Sequence, residues 1–229
     1  MYDVIKRYAK PAKELIESFL KIEESASLLE SMPNKDGALH SSIRPVLPEK
    51  IICGSALTVQ CGIGDNIMLH RAIDMIQPGD VLMVINGGYD EAGGMFGGMM
   101  AASCKAKGAA GLVIEGGCRD TVLIKKLGFP VFSKNITVKA TTKLCPGRIN
   151  HPIVIGGVYV KPGDVVFGDA DSVVVIPLED AEEVLKIAAA REEKEEGMLK
   201  KILAGEGTTF TFAGFNKIYE KLNLSEEPD

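Results

Sequence analysis

The sequence predicts an α/β fold, and three observations carry that expectation. Short apolar runs at Ile51–Val59, Asp80–Asn86 and Leu112–Ile114 read as strands covered on both faces. Segments of helical composition lie between them, stopped by glycine or proline. After residue 150, closely spaced strands without helices imply a β-meander beside the βα units, and a long amphipathic helix follows.

Residues 11–32 carry Leu15, Ile16, Phe19, Leu20, Leu28 and Leu29 at helical spacing, which predicts two short amphipathic packing helices in a helical N-terminal segment, 1–32. A turn at Pro33–Gly37 and an irregular approach with Pro45 and Pro48 lead to the strand Ile51–Val59. Gly62–Asn66 then turns into a helix, Ile67–Ile76, stopped by Pro78-Gly79, and Asp80–Asn86 is the second buried strand. The loop Gly87–Gly98 is unusually rich in glycine. Its Asp90 and Glu91 either reach a ligand crevice or are simply solvated.

Met99–Lys107 lacks β-branched residues and Gly108 follows as a stop, so a helix starts just after Gly97-Gly98 with its first N–H groups unpaired. Leu112–Ile114 is the next strand, ended by Gly116-Gly117. Arg119-Asp120 therefore falls at the carboxyl end of a buried strand, where open α/β sheets bind ligands. One reading makes the pair a charged loop with Asp120 as N-cap of a helix Thr121–Leu127. The other makes it a ligand turn. Glycines permit close backbone approach, Arg119 offers a planar fork for a carboxylate or keto oxygen, and Asp120 offers a hard oxygen for a divalent cation.

Phe129–Phe132 resumes the sheet, Ile153–Val160 returns to strand composition, and turns at Lys161–Asp164 and Gly168–Ser172 separate the strands Val165–Phe167 and Val173–Ile176. Asp169 and Asp171 have metal-like spacing but lack the glycine and glutamate of an EF-hand, so they read as turn chemistry. The last helix, about 179–204, has acidic residues at its start and Gly205 at its stop. Its apolar stripe, Ala181, Val184, Leu185, Ala188, Leu199 and Ile202, extrapolates through Glu195. That carboxylate either faces inward and needs a partner or is wet where the helix projects. One domain, 1–205, is expected, followed by a tail, 206–229. Phe210, Phe212, Phe215 and Tyr219 imply that this tail docks on its own or a neighbouring subunit.

Composition excludes several functions. With 31 acidic against 26 basic residues and no basic stripe interleaved with aromatics, nucleic acid is not an expected partner. Apolar stretches are too short for a membrane span and the start has no signal-peptide pattern, so a cytoplasmic protein with no membrane partner is expected. Five cysteines without a C-x-x-C pair suit reduced thiols. Cys118 is either a nucleophile or, with no histidine to place beside it, a small packing residue. His40, His70 and His151 are scattered, no zinc spacing occurs, and G-x-G-x-x-G and P-loop patterns are missing.

In Gly98–Asp120, Gly128–Phe132, Gly156-Gly157-Val158, Lys161–Asp164 and Asp169–Pro177, over about residues 24–204, the sequence resembles the RraA-like family. That family includes divalent-metal 4-hydroxy-4-methyl-2-oxoglutarate/4-carboxy-4-hydroxy-2-oxoadipate aldolases and the protein regulator of ribonuclease E activity. The resemblance implies an α/β/α swivelling-type sandwich with a central mixed sheet and a long C-terminal helix, assembled as a homo-oligomer (trimer or hexamer) with sites between subunits. It implies that Arg119 binds the pyruvate part of a 2-oxo acid and steadies its enolate. Backbone at Gly98, Met99 and Met100 takes the carboxylate, Asp120 holds Mg²⁺ or Mn²⁺, and Glu195 of a neighbouring subunit acts on the metal's waters. The implied function is a metal-dependent lyase performing retro-aldol cleavage of 4-hydroxy-2-oxo diacids or oxaloacetate decarboxylation. A non-catalytic oligomeric regulator and an enzyme acting on another acid are the alternatives. Two positions depart from the aldolase pattern, with Gly98 and Leu123 standing where acids are favoured. Regulatory members tend to lose the Arg-Asp pair that this chain keeps.

Overall fold

The structure, a computed structural model, describes residues 3–88 and 92–224; Asp90 and Glu91 lie outside the described residues. The chain forms two compact units, Met1–Ala188 and Ala189–Asp229. Their boundary falls inside the long helix, earlier than the expected limit at 205.

In the first unit, helices α1 (Lys13–Phe19) and α2 (Ser25–Ser31) precede strand β1 (Arg44–Pro45). Then come β2 (Ile52–Gln60), α3 (Ile67–Met75), β3 (Asp80–Ile85), β4 (Gly94–Phe96), α4 (Gly98–Ala106), β5 (Gly111–Cys118), α5 (Thr121–Leu127) and β6 (Val131–Ile136). Strands β7 (Arg148–Ile149), β8 (Ile153–Ile155), β9 (Val158–Val160), β10 (Val165–Gly168) and β11 (Val173–Ile176) lead into α6 (Ala181–Leu203).

The main sheet is mixed, in the order β1-β6-β5-β3-β2-β10-β11, with β4 added to β5 and β7 to β2. Strands β2, β3, β5 and β6 are parallel, whereas β1, β7, β10 and β11 pair antiparallel. The crossovers β2-α3-β3, β3-α4-β5 and β5-α5-β6 all step the same way across the sheet. Crossovers of one hand put their helices on one face, and Leu57, Val59, Leu82, Val84, Leu112 and Ile114 pack in one cluster with α3, α4 and α5. The alternate residues Ala56, Val81, Met83, Val113 and Phe132 cluster on the other face with the β8–β9 hairpin and Leu39 and Ile43. Helices α1 and α2 and the buried start of α6 (Ala181, Val184, Ala188) cover Val165, Phe167, Val174 and Ile176.

Three elements differ from the sequence expectation. Ile153–Val160 is not one strand but a hairpin, because Gly156 and Gly157 both take positive φ and reverse the chain. Strand β5 does not end at Gly116-Gly117 but runs through them to Cys118. Glycine is required there by crowding, since a Cβ on Gly117 would lie 2.6 Å from Gly93 O and from Asn135 Oδ1. The extension gives β4 an edge to pair with, Gly94 opposite Gly117 and Phe96 opposite Cys118, so part of the glycine loop becomes strand.

The second unit holds the remainder of α6 with α7 (Thr209–Phe212) and α8 (Asn216–Lys221). Its aromatic residues pack on one another: Phe210 lies 5.6 Å from Tyr219 and 6.5 Å from Phe215, ring centre to ring centre. Among the described residues no helix is long and apolar enough to cross a membrane.

Candidate active site

Arg119 is fixed from both ends. Its backbone N–H donates to Phe96 O at 2.9 Å, which ties the end of β5 to the end of β4. Its side chain then lies along glycine backbone. A Cβ on Gly94 would stand 3.1 Å from Arg119 Cδ, and one on Gly97 3.4 Å from Nε. The glycines are the channel in which the arginine stem rests. The half-buried guanidinium forms no ion pair or hydrogen bond among the described residues.

Asp120 takes the left-handed conformation, φ 57° and ψ 36°, which costs a non-glycine residue energy and recurs at functional turns. It occupies the N-cap position of α5, yet its side chain does not cap that helix. Instead Oδ2 accepts the Gly98 N–H of α4 at 3.1 Å, and Oδ1 accepts nothing among the described residues. The simple N-cap reading is thereby corrected. The carboxylate is turned across to the neighbouring helix, where a negative charge meets the positive end of the helix dipole. The first α4 amide to reach back is that of Ala101, to Gly97 O at 3.0 Å, so the N–H groups of Met99 and Met100 have no intrahelical partner.

Arg119, Asp120 and the start of α4 line one cavity of about 260 Å³. Sequence reasoning missed four other residues that line it: Asn66, His70, Thr141 and Lys143. Asn66 donates to Met95 O at 2.9 Å, and its carbonyl oxygen is buried without a hydrogen-bond partner among the described residues. Burial, and after it the charge of Lys143, holds the His70 imidazole below its ordinary pKa, so it is neutral near pH 7. Asp65, one residue before Asn66, is only 1% exposed and accepts hydrogen bonds from Ile67 N–H (2.9 Å), Thr142 Oγ1 (2.8 Å), Cys145 N–H (3.0 Å) and Leu144 N–H. Burial alone would push its carboxyl up, but these donors hold it down to about 2. No local signal in the sequence pairs Asp65 with a segment some 80 positions away.

Gly98 and Leu123, the two departures from the aldolase pattern, touch. A Cβ on Gly98 would meet Leu123 Cδ2 at 2.6 Å, so an apolar contact between α4 and α5 occupies the place beside Asp120. Cys118 is fully buried and burial raises its pKa, which makes it a packing residue rather than a nucleophile. All five cysteines are unbridged in the structure. Asp169 is turn chemistry too: it accepts from the N–H groups of Ser25, Asp171 and Ser172 and from the Ser25 hydroxyl. Glu195 belongs to the second unit, where it is about half exposed and pairs with Arg191 Nε at 2.8 Å, one turn earlier on α6.

Among the described residues no three His, Cys, Asp or Glu side chains gather as a cation cage. The lining offers the Asp120 carboxylate and the Thr141 hydroxyl as hard oxygens, beside the His70 imidazole. One carboxylate without a three-ligand cage suits a cation such as Mg²⁺, which keeps most of its waters.

Residues 21–175 match the family described as RraA-like: Aldolase/RraA. A protein of Halalkalibacterium halodurans, provisionally named 4-hydroxy-4-methyl-2-oxoglutarate aldolase, is 39% identical over 158 residues, spanning 69% of this chain and 75% of that protein. An uncharacterised protein of Pseudomonas syringae pv. tomato has a similar solved structure, with a TM-score of 0.76 at 26% identity over 88% of this chain and 97% of that one. Streptomyces coelicolor RraAS2, described as an unusual member of the RNase ES inhibitor RraA protein family, gives a TM-score of 0.74 at 28% identity over 84% of this chain and all of that one (100%). Sequence and fold agree over the part that carries the Arg119-Asp120 turn, and the chain belongs to the RraA-like, or Aldolase/RraA, family.

Proposed function

We propose that this protein is a divalent-cation-dependent lyase that cleaves the C–C bond beside the pyruvate part of 2-oxo diacids, by retro-aldol reaction or by decarboxylation of oxaloacetate. One observation carries the reading: among the described residues, an Arg119 guanidinium without a partner lies in a glycine channel beside two helix amides without intrahelical partners and a carboxylate with one unengaged oxygen. The names of relatives as aldolases support it.

The substrate's 1-carboxylate docks on the Met99 and Met100 N–H groups, which are preset to receive an anion. Arg119 spans the carboxylate and the keto oxygen. When the C–C bond breaks, negative charge grows on that oxygen, and the guanidinium binds the enolate more strongly than the ketone; this difference lowers the barrier. Lys143, in the same lining, suits a second carboxylate. Neutral His70 can accept the proton of a 4-hydroxyl, which retro-aldol cleavage must remove and decarboxylation need not. Asp120 Oδ1 would hold Mg²⁺ or Mn²⁺, which when bound supplies Lewis-acid polarisation of the keto oxygen.

Oxaloacetate tests the machinery without knowledge of the natural substrate, since it loses carbon dioxide through the same enolate. Expected is pyruvate release that requires Mg²⁺ or Mn²⁺ and stops with chelator, with Asp120→Ala and with Arg119→Ala. Arg119→Lys should lose at least about a hundredfold, because a point charge cannot bridge two oxygens as the fork does. If neither decarboxylation nor aldol cleavage exceeds the background of the free metal, the oligomeric regulator is the better reading.

A further inference from the structure

Resting on the reading of the Arg119 cavity as a site for 2-oxo diacids, we propose that Asp65 is a positioning residue whose buried carboxylate holds residues 141–145 so that Lys143 faces the substrate's second carboxylate. Three of its four hydrogen bonds come from that segment, from the Thr142 hydroxyl and the Leu144 and Cys145 amides, and the fourth comes from Ile67 at the start of α3. The turn before α3 receives the same segment at other points. Thr142 N–H donates to Gly64 O at 2.8 Å, and Asn66 N–H donates to Thr142 O at 3.2 Å. Gly62 leaves room for it, since a Cβ there would stand 2.6 Å from Cys145 Cβ.

One carboxylate thus joins the two pieces of chain that carry Asn66 and His70 on one side and Thr141 and Lys143 on the other. None of its donors belongs to the sheet. The elements it ties, the start of α3 and residues 142–145, are those whose neighbouring residues line the cavity. Lys143 is exposed and forms no ion pair among the described residues, so its aim depends on where its backbone is held. Releasing the segment would make each binding event order it again, and that ordering weakens binding without changing the bond-breaking step.

The test uses the full chain as wild type, Asp65→Asn, Lys143→Met, the double variant and Gly62→Ala. The last pushes on Cys145 with Asp65 intact and guards against poor folding of Asp65→Asn. Calorimetry measures affinity for 2-oxoglutarate, a 2-oxo diacid without the labile carboxylate of oxaloacetate, and for pyruvate, which has one carboxylate. Hydrogen exchange follows the Leu144 and Cys145 amides. Expected is about tenfold weaker 2-oxoglutarate binding in Asp65→Asn and Lys143→Met, a double variant no worse than Lys143→Met, and the same direction in Gly62→Ala. Pyruvate affinity should change less than about twofold. The two amides should lose protection while those of β5 keep it. Equal losses for both acids, multiplying effects in the double variant, persistent amide protection, or no binding of either acid by wild type would each overturn the proposal. Absence of oxaloacetate turnover alone would sink the lyase reading and leave this one standing, because binding and exchange do not require catalysis.

Discussion

Asp65 stays charged although almost no part of it meets solvent, because donors that converge on a carboxylate outweigh the cost of desolvating it. Asp164 is a counterexample in the same chain. It accepts fewer backbone N–H groups, those of Lys161 and Leu178, and burial leaves its carboxyl raised. For Asp65 the carboxyl falls from an ordinary 3.8 to about 2 on folding, so the folded state favours the ionised form. A depressed pKa contributes stability that is complete above the unfolded value and disappears as pH falls through the folded one. The thermal midpoint of wild type should therefore exceed that of Asp65→Asn by a constant margin at neutral pH, and the margin should shrink between about pH 4 and about pH 2. A margin that stays flat across this window would contradict the assignment.

Helices α4 and α5 meet at the Gly98–Leu123 contact, next to the carboxylate of Asp120. Two departures from the aldolase pattern are thus one packing event between two helix starts. Alanine favours a helix interior over glycine by about 1 kcal/mol, an upper bound at Gly98, the first residue of α4. Forcing a Cβ to within 2.6 Å of Leu123 Cδ2 costs about 1–3 kcal/mol. Packing should win. Gly98→Ala is expected to lower stability in urea unfolding, and in a Leu123→Ala background the same change should be neutral or stabilising. Destabilisation of equal size in both backgrounds would show that Leu123 is not what excludes a side chain at 98.

The whole molecule divides the proposed site residues between its two compact units, with Arg119 and Asp120 in the first and Glu195 in the second. Glu195 has Arg191 as its partner on α6, an exposed pair of small energetic weight that an incoming group could displace. If Glu195 serves the Arg119 site of a neighbouring copy, Arg119→Ala and Glu195→Ala chains, each inactive alone, should regain on mixing and reassembly about a quarter of wild-type activity, a symmetric statistical mixture having about that share of intact sites. No recovery from a mixture proven by mass to contain both chains would remove Glu195 from the reaction. A sedimentation profile of monomers at assay concentration would do the same.

The buried strands, the helices between them, the place of Arg119-Asp120 at a strand end and the open start of α4 all follow from local patterns, and all were legible in the sequence. Apolar runs, stops and caps act within a few residues, so periodicity and turn chemistry report them directly. What closes the cavity was not legible. Asp65 and residues 142–145, Gly94 and the Arg119 stem, and Gly98 and Leu123 meet only after the crossovers bring the strand ends together. Strand β4 and the run of β5 through Gly116-Gly117 have the same origin, since glycine weakens a strand locally and is kept there by the close approach of neighbours. Thus local patterns placed Arg119-Asp120 at the end of a strand, while contacts to Phe96, Gly94 and Gly98 set the turn's conformation. Only tertiary packing decided that His70, Asn66, Thr141 and Lys143 share its pocket, because no force acting along the chain links residues so far apart.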